Sequence, residues 1–247
     1  YVEDLPTQCG QKRCVKMVRL NLSVLPYLCN IVSGKWGEFM VNEPIRDKKL
    51  LYHLTHIDNL QSIIQNGLLS RNMLNWQQTD FFDVANSDII RKRGTILGDY
   101  IPFHFHQRSY FDYAVNAVYG WENLIYLCIT REYARQNNFK IIPTHPLGRI
   151  IQKQSMMDYD EGFDAIDWEK MECEYSKMME CEESDRREIQ QVRMAECLTD
   201  KDIPFKNLFC IFYLTFDQKC KIVSVLQSMR VPYPWPYIND GTGFHRC

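Results

Sequence analysis

A chain of 247 residues that is 45% hydrophobic and 13% aromatic carries enough apolar material for a substantial core, and length alone permits one large domain or two small ones. The net charge of −2 hides a segregation: residues 155–190 hold 13 Asp/Glu against 4 Lys/Arg, and the rest of the chain 18 against 25. The body outside that segment is therefore basic, about +7, which suits an anionic ligand such as a dinucleotide or a nucleic acid. Ten cysteines without a C-x-x-C pair or a histidine at zinc-ligand spacing exclude the common zinc modules, and no metal is expected. Several of them, such as Cys128 and Cys210, sit in apolar runs, so the expectation is reduced core thiols in a cytoplasmic protein. The most apolar N-terminal stretch, 17–32, is broken by Arg19, Asn21 and Pro26 and is too short to cross a bilayer, so neither a membrane nor a secretory signal is expected.

Residues 1–48 mix a basic start with an apolar patch and the breakers Ser33-Gly34 and Glu43-Pro44. They form an expected extension to a main domain spanning 49–247, within which about 155–190 is an acidic insert. At Leu50-Leu51-Tyr52-His53-Leu54-Thr55-His56 the chain becomes strand-like. Asp58 then caps an expected helix with Leu60, Ile63, Ile64 and Leu68 at helical spacing and Gly67 at its end. His53 and Thr55, two apart, share one face of that strand, while His56 points to the other or marks its end. One strand histidine is most simply a hydrogen-bonded core residue; two with a threonine at a strand-to-helix junction suit a binding site equally well.

Residues 70–99 are polar and loop-rich, with Asn72, Asn75, Asn86 and Ser87 ahead of the cluster Arg91-Lys92-Arg93-Gly94. The cluster is either the solvated face of a short helix or a set of cations suited to phosphate. The alternation of 98–106 predicts a strand whose Pro102 marks a sheet edge or a strand start. Arg108-Ser109 and an aromatic helix start at 110–113 follow. Residues 124–129 give the clearest central strand, and 132–154 a short helix, a strand near 140–142 and a Thr-His-Pro loop. The acidic segment is most simply solvated, with one helix running from Trp168 into Met179. Glu196, among the small and apolar neighbours Met194, Ala195, Cys197 and Leu198, is a carboxylate that needs a partner or a task. A strand is expected at 208–214, then a helix over 217–229 with Cys220, Val223 and Leu226 on one side. The stretch 231–237 is too rich in proline for a core element.

Four of these motifs, 52–60, 90–94, 98–103 and 194–196, together with Ile166-Asp167-Trp168, stand in an order and spacing that resemble the DarT family of nucleic-acid-modifying toxins, over roughly 50–230. The resemblance implies an α+β, ADP-ribosyltransferase-like fold with a mixed β-sheet core and flanking helices, which uses NAD to modify a base in single-stranded DNA. It implies Glu196 and Arg93 as catalytic residues, with His53 and Thr55 on the nicotinamide side. The expected NAD-binding set is His53, Thr55, His56, Asn59, Arg93 and Ser109; the expected nucleic-acid contacts are Asn86, Arg91 and Lys92, away from the acidic segment. A toxin also implies an antitoxin, either a hydrolase of the adduct or a protein inhibitor.

The chemistry is consistent with these residues on independent grounds. Breaking a glycosidic bond develops positive charge on the ribose, and a carboxylate placed there stabilises the transition state above the ground state. The alternatives left open are transfer to RNA or protein, and a module that binds NAD or nucleic acid without turnover.

Overall fold

The computed structural model describes residues 43–85, 91, 97–146, 156–232 and 237–240. The extension up to position 42 lies outside them, as do Asn86, Lys92 and Arg93; the described residues fall in one unit, 41–247.

Strand β3 (Leu124–Thr130) is buried in each of its first six residues, the pattern of a strand covered on both faces. It pairs antiparallel with β1 (Leu50–His56) over seven consecutive residues, Leu50 opposite Thr130 through His56 opposite Leu124. Around this pair an eight-stranded sheet forms in the order β5-β4-β6-β2-β1-β3-β7-β8. Its remaining strands are β2 (Ile101–His104), β4 (Lys140–Ile142), β5 (Met157–Asp158), β6 (Glu196–Thr199), β7 (Cys210–Tyr213) and β8 (Tyr237–Asp240). All neighbours are antiparallel except β7 and β8, which run parallel, so the sheet is mixed as expected. The Pro-rich stretch thus ends in an edge strand beginning at Tyr237, with Tyr237 opposite Cys210.

Side-chain alternation divides the core. Leu51, Ile125, Leu127, Ile129 and Ile211 pack with Leu60 and Ile63 of α1 (Leu60–Asn66). Tyr52, Leu54, Tyr126, Cys128, Cys210 and Phe212 form a second cluster with Val115, on the helix 110–119. The C-terminal helix 216–228 joins the first cluster through Ile222 and Leu226. Of the expected stripe Cys220, Val223 and Leu226, only Leu226 is buried; Val223 is half-buried and Cys220 exposed. Asp58 is not the cap before α1: the His56 ring accepts from the Asp58 N–H and starts a 3-10 turn, Ile57–Asn59. Gly67 ends α1 at φ +83°, a conformation that suits glycine; a Cβ there would stand 2.9 Å from the Ile203 carbonyl oxygen.

Pro102 is neither on a sheet edge nor at a strand start. β2 lies between β6 and β1, and pairs with β6 along its full length, Ile101 opposite Thr199 to His104 opposite Glu196. With β1 it shares one pair, Tyr52 and His104. Continuing that register would bring Leu54 opposite Pro102, which has no N–H to give, and the ladder stops. The sheet therefore splits between β1 and β2, and the His53 side chain crosses the gap to the Pro102 carbonyl, with Nδ1 at 2.8 Å.

The acidic segment turns its charges to solvent, as expected, but packs into the fold through Trp168, Met171, Met178 and Ile189. Its helices are α5 (Tyr159–Ala165), α6 (Trp168–Glu172), α7 (Tyr175–Glu180) and α8 (Glu183–Val192), the earlier ones being α2 (Arg71–Trp76), α3 (Tyr110–Tyr119) and α4 (Arg131–Gln136), and the last α9 (Phe216–Ser228). The helix expected from Trp168 to Met179 is broken at Cys173 and Glu174, which adopt extended backbone. The buried Arg131 guanidinium lies 5.3 Å from the Phe105 ring and 5.7 Å from those of Phe163 and Trp168. It donates to the Ile45 and Arg46 carbonyls at 2.7 Å and to those of Leu50 and Phe105 at 3.3 Å. One cation thereby ties the start of the domain to the acidic helices, satisfied by carbonyls and ring faces.

Candidate active site

Two cavities open along the split. The smaller, about 130 Å³, is bordered by His53 and Thr55 of β1, Asn59, Arg71, and the segment Phe81 to Ala85. The larger, about 450 Å³, is bordered by Glu196 of β6, Met194, Tyr110, His145, and Arg187, Gln190 and Gln191 of α8. Pro102, His104 and Phe111 border both, so the two cavities lie side by side and share a wall. Together they reach the few hundred Å³ of a typical nucleotide or drug-sized site.

His53 is held by its neighbours. Burial pushes its pKa down to about 4, against the opposing pull of the Pro102 carbonyl. A neutral ring that donates from Nδ1 to that carbonyl keeps Nε2 as an acceptor. Such a group takes an amide N–H and does not repel a cationic ring.

Thr55 and Asn59 have local work. Asn59 Nδ2 donates to Thr55 Oγ1 at 3.1 Å and to the Phe82 carbonyl at 2.9 Å, and its Oδ1 accepts from the Phe82 N–H at 2.8 Å. That side chain pairs with the backbone of residue 82 as a strand would. Asp83 takes two bonds from Arg71, both 2.8 Å, and its carbonyl accepts from the Tyr119 hydroxyl. The segment beside the smaller cavity is therefore fastened from three elements, and residues 71–76 of the expected loop are helix, capped by Ser70. His56 stacks on Phe82 with ring centroids 4.4 Å apart and borders neither cavity. Ser109 caps α3: its hydroxyl accepts from the Asp112 N–H, and its own N–H donates to the Asp112 carboxylate. It, too, borders neither cavity.

Glu196 is 2% exposed and opens β6 between two neighbours, opposite His104 of β2 and Ile142 of β4. Two anchors set that opening. His106 Nε2 lies 3.0 Å from the Arg193 carbonyl, and the Arg193 guanidinium donates to the Met171 and Cys173 carbonyls at 2.9 Å each. Beneath His104, Asp112 accepts from the Tyr126 hydroxyl at 2.8 Å. Burial raises its carboxyl pKa, and nearby His104 opposes that rise.

Of the expected residues, the structure brings His53, Thr55, Asn59 and Glu196 to the cleft. Arg91 is exposed, and the positions of Asn86, Lys92 and Arg93 are outside the described residues. Sequence reasoning missed His104, Tyr110, Phe111, His145 and the inner turn of α8. The alternation of 101–106 puts His104 on a definite face, but that Glu196 is its neighbour depends on a strand pairing that local sequence does not encode. Among the described residues no group of three or more His, Cys, Asp or Glu stands together to hold a metal, and no helix is long and apolar enough to cross a membrane.

Comparison with known proteins gives consistent matches. A family model described as "ssDNA thymidine ADP-ribosyltransferase, DarT" matches residues 52–236. A DNA ADP-ribosyl transferase of Thermus sp. (strain 2.9) is 26% identical over 170 residues, 63% of this chain and 76% of that protein. The solved structure of Thermus sp. 2.9 DarT in complex with ADP-ribosylated single-stranded DNA superposes with TM-score 0.63 at 24% identity, over 77% of this chain and 92% of that one. The complex of Thermus sp. 2.9 DarT with NAD+ gives TM-score 0.60 at 23% identity, over 81% and 96%.

Proposed function

We infer from the cleft how this chain, which belongs to the DarT family of single-stranded DNA thymidine ADP-ribosyltransferases, carries out its reaction: NAD lies along the split, and its ADP-ribose passes to a thymine of single-stranded DNA. The observation that carries this reading is the position of Glu196, buried at the first residue of β6 in a cavity that shares a wall with the one bordered by His53 and Thr55. The nicotinamide belongs on the His53 side, where a neutral imidazole acceptor suits its carboxamide N–H and leaves its cationic ring unopposed.

In the reaction the ribose C1′–nicotinamide bond breaks and its electron pair leaves with neutral nicotinamide. A base nitrogen bonds to C1′ and releases its proton. Glu196 opposes the charge that grows on the ribose and takes that proton, which then passes to water. Arg93, from the family motif, would hold the pyrophosphate or polarise the base, and Asn86, Arg91 and Lys92 the strand's phosphates. A base modified on its pairing edge does not template, so expression of the chain should arrest its host. An antitoxin that hydrolyses the adduct or fills the cleft should relieve the arrest.

The test is incubation with NAD labelled in the adenosine half and separate single-stranded DNA, RNA and protein acceptors. Label is expected in thymine-containing single strands and much less in duplex, where exposing the pairing edge costs a few kcal/mol. Label confined to RNA or protein overturns the acceptor assignment; NAD binding without label anywhere leaves a binding module.

A further inference from the structure

Helix α3 turns an apolar face to solvent. Tyr113 is 50% and Val118 75% exposed, and Ala114 and Ala117 between them are exposed as well. The spacing of these four positions puts them on one side of the helix. Just past the helix end Trp121 meets Tyr113 edge to face, with ring centroids 5.9 Å apart, and the Arg108 guanidinium lies 5.9 Å from the Trp121 ring. Single exposed apolar side chains need no explanation, but a contiguous strip ending in two rings and a cation does.

The strip starts at the cavity of Glu196, which Tyr110, Phe111 and Ala114 of the same helix border. The opposite border is α8, from the segment with 13 acidic residues to 4 basic. There Arg187 is paired with Glu183, while Glu182, Asp185 and Glu188 stand exposed along the helix. From Gln107 to Trp121, by contrast, the one acidic residue is Asp112, which is buried, and the one cation is Arg108. A polyanion with one base in the cavity must carry its neighbours out over one rim or the other. Its phosphates are repelled over α8 and unopposed over α3. Rings also accept bases of any sequence, since every base has a face to stack, and an arginine beside them adds to the attraction.

We propose that Tyr113, Val118 and Trp121 form a platform for the unpaired bases that flank the target nucleotide, so that a single strand leaves the Glu196 cavity along the outer face of α3. The partner this surface fits is single-stranded nucleic acid, held by stacking and apolar contact and not by base-edge hydrogen bonds. The inference rests on the transfer reading above and adds the path the strand takes, with residues distinct from the phosphate contacts expected of Asn86, Arg91 and Lys92.

The experiment varies strand length. Single-stranded oligonucleotides with one thymine are extended by unpaired nucleotides on either side, and kcat/KM for labelling is measured with NAD saturating. In the wild type it should rise with length on one side and level off once the strip is covered. Tyr113→Ala and Val118→Glu should each lose about tenfold on the longest strands, as the removal of one stacked base does, and nothing on the shortest labelled strand. Tyr113→Phe, which keeps the ring, should retain the wild-type gain. NAD titration within twofold of wild type certifies the fold of each variant. A wild-type gain with length in both Tyr113→Ala and Val118→Glu overturns the proposal, and so does a loss that is the same at every length. Sedimentation that shows wild type self-associating and Val118→Glu monomeric, with the length gain intact, assigns the strip to a second copy of the chain and overturns it too. Fluorescence anisotropy of the same strands without NAD separates the two readings: a chain that labels no DNA overturns the transfer reading, while the length-dependent loss of binding in the variants still decides this one.

Discussion

Glu196 stands where strand propensity would place almost anything else, at the buried start of β6 among Met194, Ala195 and Cys197. Glu196→Ala should abolish transfer while NAD affinity stays within about tenfold, because the charge acts on a state in which the ribose is cationic and little on bound NAD. Normal turnover with weakened binding would refute that role. His53 makes the opposite prediction. On the proposed reading its Nε2 accepts from the bound cofactor, so His53→Ala should weaken NAD binding by about 1–2 kcal/mol, measured by titration, and should leave the rate at saturation closer to wild type. Unchanged affinity would return His53 to a purely architectural histidine across the β1–β2 gap. That both residues would be candidates for one cleft was legible from sequence, and both do border it. A lone acid beside a buried strand and a His-x-Thr on an early strand are local signals, and the family motif joins them. Asn59 was legible as a member of the site but not in what it does, since its bonds to Phe82 depend on where a loop 23 residues away returns.

Among elements, the segment Phe81 to Ala85 is the one most open to manipulation. It has no regular structure and depends on Asn59, Arg71 and Tyr119 for its place over the smaller cavity. Asn59→Ala removes two hydrogen bonds to Phe82 and should cost about 1–2 kcal/mol locally. We expect faster amide exchange at Phe82 and a raised KM for NAD with little change in the thermal midpoint; protection of Phe82 unchanged from wild type would show that Arg71 and Tyr119 suffice to fasten the segment. Strands β1 and β3 and helices α1 and α9 were legible as elements, β3 as a continuous apolar run and α1 by its helical spacing, although of the stripe expected for α9 only Leu226 is buried. The acidic segment was not. Its charges obey the pattern of a solvated helix, while Trp168, Met171, Met178 and Ile189, too sparse to dominate the composition, are buried. Pro102 misled for a related reason: the missing N–H does end a ladder, but in the interior of the sheet, and what it ends there becomes the cleft.

For the whole molecule, buried histidines set the response to acid. Burial lowers the pKa of His53 to about 4 and that of His106 to about 3, and lowers that of His56 as well. Above the ordinary value of about 6.5 they are neutral, folded or unfolded, and pH has no effect through them. As pH falls below it, the unfolded chain takes up protons that the folded chain refuses, so stability declines until the folded pKa values are reached, by up to about 1.4 kcal/mol per pH unit for each group. Asp112, its pKa raised by burial, works in the opposite sense. Urea midpoints measured at pH 7.5, 6 and 5 should therefore change little from 7.5 to 6 and fall mainly from 6 to 5, and His106→Gln should flatten the decline; a midpoint flat from 7.5 to 5 would show that water reaches these rings. The order of the strands carries a further consequence, for timing. β2 and β6 meet at His104 and Glu196, about 90 residues apart along the chain, and pairings of such separation close late and slowly. A ribosome making this protein has released β1, β2 and β3 long before the strand that completes the cleft exists. Until β6 has been made the nascent chain has no carboxylate opposite His104, so on the proposed mechanism transfer waits for that strand.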